Sequence, residues 1–150
     1  MSASPSIHAS AVLIGARAVL IHGPSGSGKS RLALALLHAA AQGVIPFARL
    51  VADDRAHLEV AHGRVLVRPA QALAGLIEVR GLGIRRVPHE LVAQLGVQVV
   101  LGLERAERMP AQSQTTAILA GIALPRLAVA AGVDPLPVVL AWLQTPDGSG

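Results

Sequence analysis

The chain has 150 residues, 52% of them apolar, a formal net charge of +4 and no cysteine, which suits one packed domain and excludes disulfides and thiolate metal sites. No uncharged run reaches the ~18 apolar residues of a membrane span, and no basic segment precedes an apolar run at the N-terminus, so we expect a cytoplasmic protein. Its basic residues are scattered and its aromatic residues number two, so we expect neither nucleic acid nor a membrane as a partner.

The first half of the chain predicts two strands followed by a helix. Residues 11–22 form two short apolar runs that meet at Gly15, and the second run leads into a glycine-rich segment. Residues 29–41 are rich in Ala and Leu and contain neither Gly nor Pro, which predicts a helix. Gly43 and Pro46 follow and should end it.

The second half predicts mainly strands, at residues 49–52, 57–60, 64–67, 75–80 and 97–103. Glycines after residue 80 predict a loop, and residues 115–129 favour strand without a clear boundary. Asp134 is a suitable N-cap for a last helix over 135–144, and residues 145–150 should be a frayed tail. We therefore expect one α/β domain over residues 1–150.

A glycine-rich segment carries the sharpest motif of the sequence. It fits the P-loop pattern G-x-x-x-x-G-K-[ST] with the residues Gly23, Pro24, Ser25, Gly26, Ser27, Gly28, Lys29 and Ser30. A chain of this composition should match it by accident roughly once per thousand chains. A predicted strand before the motif and a predicted helix after it supply the required context, so we expect it to bind the phosphates of ATP.

Each residue type in this motif has a physical task. Glycines let successive backbone N–H groups point at an anion, and the start of the helix adds its positive end. Lys29 should reach the β- and γ-phosphates, and the Ser30 hydroxyl should ligate Mg²⁺. Lys29 is the only lysine beside twelve arginines, which indicates that this position needs a compact ammonium.

Asp53 and Asp54 follow the apolar residues 50–52. A carboxylate at the carboxyl end of a strand lies where open α/β sheets bind ligands, so one of the two could accept a hydroxyl proton while the other faces the metal. Asp is also common in turns at strand ends, and the sequence leaves these two interpretations open.

Four segments, taken together, resemble the catalytic domain of bacterial HPr kinase/phosphorylase. In chain order they are residues 7–10 (IHAS), 23–30, 50–54 (LVADD) and 78–84 (EVRGLGI). The last string is much more specific to that family than the P-loop, and residues 99–104 resemble a later core strand. The resemblance runs from about residue 6 to residue 144.

The resemblance implies roles for individual residues. Asp53 matches the family's base, which activates the acceptor serine, and His8 matches a histidine that polarises this aspartate. Glu78 and Arg80 match residues near the metal and the phosphates. With Ser30 and Asp54, Glu78 completes the set of expected magnesium ligands.

The resemblance also implies a fold and partners. The fold should be a P-loop domain with a mainly β core, related to that of phosphoenolpyruvate carboxykinase. The reaction should transfer phosphate from Mg·ATP to a serine of HPr, a small phosphocarrier of the phosphotransferase system. Long members of the family assemble as hexamers, so a homo-oligomer is expected.

The sequence departs from the long members in three places. Their N-terminal domain has no counterpart here, so the chain resembles the short form of some proteobacteria. Arg31 stands where longer members often have Glu. Their late arginine-bearing loop is reduced to something like residues 124–126, so we expect weak or absent phosphorylase activity and leave the roles of Arg126 and Glu104 open.

Two other functions are compatible with a P-loop. A small-molecule kinase would need a basic lid and a substrate pocket, for which 150 residues leave little room. A nucleotide-dependent sensor with little turnover would not need His8, Asp53 and Asp54 together.

Overall fold

The computed structural model of the protein describes residues 6–106 and 115–145. Its strands are β1 (Ser6–Ile7), β2 (Ala9–Ile14), β3 (Arg17–His22), β4 (Ala48–Ala52), β5 (Ala56–Ala61), β6 (Arg64–Pro69), β7 (Leu76–Val79), β8 (Gly83–Arg86), β9 (Ala93–Leu103), β10 (Thr116–Leu119) and β11 (Ile122–Ala130). Its helices in these residues are α1 (Lys29–Ala41) and α2 (Pro135–Gln144), with a short 3₁₀ turn at Gln71–Leu73. None of the helices in the described residues is long and apolar enough to cross a membrane.

A mixed sheet forms the centre of the described structure. Its strands follow the order β1, β5, β6, β9, β3, β2 and β4, and β11 pairs with β9 and carries β10. The pairings of β9 with β3 and with β11 are parallel, whereas the other pairings are antiparallel. The mainly β core that the family resemblance implies is confirmed. Strand β9 has paired neighbours on both edges, and its mostly apolar residues suit a strand whose two faces are both covered.

Side chains of β3 alternate between two apolar cores, which therefore lie on opposite faces of the sheet. Ala18 and Leu20 belong to one core, and Val19 and Ile21 to the other. Helix α1 covers the second core with a buried stripe formed by Leu32, Ala33, Leu36 and Ala39. This packing places the first residue of α1 beside the end of β3.

The two helices have the predicted bounds. The Asp134 carboxylate accepts a hydrogen bond from the backbone N–H of Leu136 (3.1 Å), as an N-cap does. The predicted loop after residue 80 is wrong in part, because Gly83–Arg86 pairs with Leu76–Val79 as a hairpin. Of the predicted tail over residues 145–150, Thr145 is the C-cap of α2 and its backbone N–H donates to the Ala141 carbonyl; the other five lie outside the described residues.

Candidate functional site

Residues 23–30, hereafter the 23–30 loop, connect the end of β3 to the start of α1. Gly28 is the N-cap of α1 and has φ of +100°, a conformation that L side chains rarely adopt. Helix α1 therefore begins at Lys29 with its unpaired N–H groups next to the loop. An anion bound here would meet both these donors and the positive end of the helix.

Lys29 is 7% exposed although it carries a charge. Its Nζ atom donates hydrogen bonds to the carbonyl oxygens of Gly23 (2.9 Å) and Pro24 (3.2 Å). An ammonium has three donors, so these two bonds leave one N–H group for an anion. The lysine thus lies over the loop that the sequence expects to bind phosphate.

The Asp53 carboxylate lies against the start of α1. Its Oδ1 atom accepts hydrogen bonds from the hydroxyls of Ser30 (2.6 Å) and Ser10 (2.9 Å). Its Oδ2 atom accepts a hydrogen bond from the backbone N–H of Glu78 (3.2 Å). Strand β4 thus places an acidic group beside the hydroxyl that the motif expects to ligate a metal.

Asp54 follows in a left-handed conformation, with φ of +65°. This conformation is uncommon for a residue other than glycine, costs of order 1–3 kcal/mol, and clusters at functional sites. Asp54 is exposed and lines the same cavity as Asp53. The two neighbouring acids therefore differ, since Asp53 is hydrogen-bonded on both oxygens and Asp54 faces open space.

A cavity of about 650 Å³ joins these groups, a size typical of ligand sites. It is lined by residues 25–31 of the loop and helix, by Leu34, by Asp53 and Asp54, and by residues 78–80. The predicted site residues Ser30, Glu78 and Arg80 thus share one cavity with the acidic pair. Gly23 and Pro24 contribute the carbonyl groups that bind Lys29.

His8 is placed differently from the other predicted residues. It is exposed between β1 and β2, and it does not line the cavity formed by the described residues. None of the hydrogen bonds found in residues 6–106 and 115–145 joins His8 to Asp53; the Ser10 hydroxyl makes that contact instead. The sequence analysis assigned no role to Ser10, although it is the last residue of the segment 7–10 that carries part of the family resemblance. The role of His8 stays a prediction.

Two residues whose roles were open lie apart from the cavity. Glu104 is exposed after the end of β9. Arg126 lies in β11, opposite Gln98 of β9. Neither lines the cavity as the described residues form it.

His22 closes β3 directly before the 23–30 loop, and its Nε2 atom is buried without a hydrogen-bond partner in the described residues. Burial lowers the pKa of His22; the Gln98 side chain opposes this, and the charge of Arg126 adds to it. The neutral imidazole is therefore favoured near pH 7. His22 supports the base of the loop as a packed group and adds no charge for phosphate.

Gly102, near the end of β9, lies directly beneath the 23–30 loop. A Cβ atom added there would be 3.1 Å from Pro24 Cδ and 3.2 Å from Ser27 Cβ. Both distances are tighter than ordinary van der Waals contact, and φ of Gly102 is +72°. The absence of a side chain at Gly102 thus lets the 23–30 loop lie close against the backbone of β9, which fixes the distance between the two.

We expect Gly102→Ala to weaken ATP binding by about tenfold, which corresponds to 1.4 kcal/mol, because the new methyl group pushes the 23–30 loop away from β9. Gly121→Ala is the matched control, since φ is +82° and nothing lies within 4 Å of the added Cβ. Both variants should lose about 1–2 kcal/mol in free energy of unfolding. Calorimetric titration with ATP separates them, and equal affinities would show that the β9 contact does not position the loop.

The donor set fits a magnesium-bound nucleoside triphosphate. No group of three or more His, Cys, Asp or Glu side chains in the described residues is arranged to hold a metal ion. Magnesium bound with a nucleotide takes only one or two carboxylates and completes its shell with phosphates and water. Ser30, Asp54 and Glu78 all line the cavity, so the expected ligands are in a position to supply such a partial shell.

Comparison with known proteins identifies relatives along most of the chain. Residues 1–131 match the family model described as the HPr Serine kinase C-terminal domain. The chain is 40% identical over 70 residues, 47% of its length, to an HPr kinase/phosphorylase of Clostridium tetani. It is 41% identical over 80 residues, 53% of its length, to an HPr kinase/phosphorylase of Streptococcus thermophilus. These matches span 21% and 24% of the two relatives.

The fold is similar to a solved structure, that of the Hpr(Ser) kinase/phosphatase from Coxiella burnetii. The TM-score is 0.72, and the match covers 93% of this chain and 88% of the other. Sequence identity between the two is 23%. The architecture is therefore shared over almost the full length.

Proposed function

The chain belongs to the HPr Serine kinase C-terminal domain family, and we propose that it is an ATP-dependent kinase that phosphorylates a serine of an HPr-type phosphocarrier. The single observation that carries the proposal is the hydrogen bond between Ser30 and Asp53 (2.6 Å). It joins the start of the phosphate-binding helix to the group that would activate an acceptor, within one cavity.

The residues of the 23–30 loop would hold Mg·ATP. Backbone N–H groups at the start of α1 and the Lys29 ammonium would bind the phosphates, and Ser30, Asp54 and Glu78 would ligate the magnesium ion. Bound there, Mg·ATP would supply the phosphoryl group and the cation that neutralises its charge.

Asp53 is the proposed base of the transfer. Its carboxylate takes the proton from the serine hydroxyl of the carrier as that oxygen forms a bond to the γ-phosphorus. The bond from that phosphorus to the leaving oxygen breaks at the same time, so ADP departs. Lys29 and the backbone donors of the loop stabilise the charge that develops on the phosphoryl oxygens. The products are ADP and the phosphoserine form of the carrier.

Several finer features belong to the same proposal. The relationship to the phosphoenolpyruvate carboxykinase type of P-loop fold is supported by three consecutive elements, namely strand β3, the glycine-rich 23–30 loop and helix α1. A homo-oligomer and a cytoplasmic location are supported by family membership. We also propose that His8 acts on Asp53 after a change in its position or through a bridging water molecule. The hydrogen bond that a polarising group would make to Asp53 Oδ1 is made by the Ser10 hydroxyl instead.

A phosphorylation assay distinguishes the proposed serine kinase from the two alternative functions, a small-molecule kinase and a nucleotide-dependent sensor. ATP and purified HPr-type carriers are incubated with the protein, and the carriers are analysed by mass spectrometry. Phosphate on serine supports the proposal. Phosphate on no carrier, with turnover of a small substrate, favours a small-molecule kinase; tight ATP binding without turnover favours a sensor.

The reverse direction is tested in the same way with phosphoserine carrier and inorganic phosphate. We propose that this reaction is weak or absent, because the late arginine loop of the long members is reduced here. Rapid release of phosphate would show that the reverse reaction does not need that loop.

Arg80 should affect the carrier more than the nucleotide. It is exposed on the rim of the cavity, where a cation can steer an acidic surface or bind phosphate. We expect Arg80→Ala to lower kcat/KM for the carrier by about tenfold, as expected from the loss of 1.4 kcal/mol, and to change ATP affinity less than twofold.

Arg64→Ala is the control for Arg80→Ala, since Arg64 is also exposed but does not line the cavity. Steady-state kinetics at several carrier concentrations, together with ATP titrations, distinguish the two variants. An equal effect of both substitutions would mean that overall charge, and not the position of Arg80, guides the carrier.

A further inference from the structure

Ser10 is a buried polar residue that the proposed reaction does not use. It lies in β2 between Ala9 and Ala11, and all three residues are 0% exposed. A buried hydroxyl is unfavourable unless it is hydrogen-bonded. An alanine or valine would serve the apolar strand as well, so the hydroxyl needs a reason of its own.

The Ser10 hydroxyl contacts both residues of the acidic pair. It donates a hydrogen bond to Asp53 Oδ1 (2.9 Å) and accepts one from the backbone N–H of Asp54 (3.2 Å). These partners are 43 and 44 residues away along the chain. One side chain therefore fixes the carboxylate of the first acid and the backbone of the second.

The end of β4 needs such a tether because its backbone is irregular there. The pairing of β2 with β4 shifts register between Ala11 and Val12, so Val51 is an extra residue in β4. A bulge of this kind bends a strand and changes the direction of the side chains that follow. Asp54 then turns into the left-handed region. Ser10 is the side chain that connects both acids to β2 at this irregular end of β4.

The occupied positions on Asp53 identify the oxygen that is left for chemistry. A carboxylate has about four acceptor positions, two on each oxygen. On Oδ1 both are occupied, by Ser10 and Ser30. On Oδ2 one is occupied, by the backbone N–H of Glu78. Among the described residues, the remaining position is on Oδ2.

We infer that Ser10 is a positioning residue that holds Asp53 so that Oδ2 takes the proton of the acceptor hydroxyl. The inference rests on the proposed function for the identity of the reaction, but the contacts of Ser10 do not depend on it. Ser10 and Ser30 fill Oδ1 from two different elements, β2 and α1, and so leave the carboxylate with one direction of approach.

The test compares substitutions at position 10 with a control on the same face of the same strand. Ser10→Ala removes the hydroxyl, and Ser10→Thr retains it. Ser10→Cys replaces the hydroxyl by a slightly larger thiol, which offers only a weak donor. Val12→Ala removes buried apolar volume two residues along β2, in the core that α1 covers. ATP affinity, KM for the carrier and kcat are measured for each variant.

We expect kcat to fall by about 10- to 100-fold in Ser10→Ala and Ser10→Cys, the range for a small misplacement of a reacting group. ATP affinity and KM for the carrier should stay within twofold, and Ser10→Thr should recover most of kcat. If the extra methyl group of threonine prevents folding, the cysteine variant still isolates the hydrogen bond. Val12→Ala should lower the melting temperature without this selective loss of kcat.

Amide resonances give a measurement that does not require activity. The Asp54 amide donates to Ser10, and the Glu78 amide donates to Asp53. Both should shift in Ser10→Ala, and the Asp54 amide should exchange with solvent faster, whereas Val12→Ala should leave them in place. If the wild type transfers no phosphate but these resonances respond, the positioning role stands and the proposed function fails. Unchanged resonances, or wild-type kcat in Ser10→Ala, would overturn the inference.

Discussion

Replacing Lys29 with alanine should lower the rate of phosphoryl transfer by about 10²–10³-fold, the loss typical of removing one preorganised donor from a site of developing charge. Lys29 is the lysine of the P-loop motif, and its ammonium is held by the carbonyl groups of Gly23 and Pro24 at the start of the loop. Alanine removes both the charge and these bonds, so ATP affinity should fall as well. Single-turnover kinetics and ATP titrations measure the two effects separately.

Arginine should not replace this lysine. The guanidinium is a planar fork, whereas the two carbonyl groups accept from the compact ammonium of a residue that is 7% exposed. Lys29→Arg should therefore transfer phosphate almost as poorly as Lys29→Ala, although it keeps the charge. Arg64→Lys is a control for the reverse exchange at an exposed position and should have no effect. Full turnover with wild-type ATP binding in Lys29→Arg would contradict the assigned role.

Asp53→Asn should lower transfer to the carrier by about 10²–10⁴-fold, the usual contribution of a general base. The amide retains the shape of the side chain, and its oxygen can still accept from the Ser10 and Ser30 hydroxyls; only the hydrogen bond from the Glu78 backbone N–H is lost. It cannot take up the proton of the acceptor. The fold and the affinity for ATP should consequently change little. Rapid-quench measurements of phosphoserine, together with thermal unfolding, test both parts of the expectation.

Asp54→Asn separates the roles of the two acids. Its side chain lines the cavity and is exposed, and we propose that it binds magnesium. This variant should therefore need more Mg²⁺ for half-maximal rate, whereas Asp53→Asn should stay slow at any Mg²⁺ concentration. Normal transfer by Asp53→Asn with an inactive Asp54→Asn would mean that the two roles are exchanged.

Local sequence signals predicted the helices well. The bounds of α1 and α2 agree with the prediction because their ends carry strong signals, glycines before and after the first and an aspartate before the second. Of the hairpin formed by β7 and β8, the first strand was predicted and the second was not. Gly81 and Gly83 favour a loop in the sequence, but the structure pairs Glu78 of β7 with Ile84 of β8. Pairing between strands decides such a segment, and a single sequence does not show it.

The candidate site was predictable where chemistry sits in a motif. Residues 25–30 of the 23–30 loop and the acidic pair, which the sequence singled out, line one cavity. Two contacts of Asp53 could not be predicted, because the Glu78 contact comes from a backbone N–H group, which any residue has, and the Ser10 contact joins residues 43 apart. His8 was the more conspicuous residue in the sequence, but the serine two positions later reaches the carboxylate.

The three hydrogen bonds of Asp53 determine when the site forms during folding. They join β4 to β2, to α1 and to β7, across 43, 23 and 25 residues of sequence. Contacts between such distant segments require loop closure, which is slow relative to local structure formation. The site is therefore complete only when these elements have assembled. A nucleotide that binds only this assembled form would act as a chemical chaperone for the whole chain, since its binding energy adds to the stability of the native state.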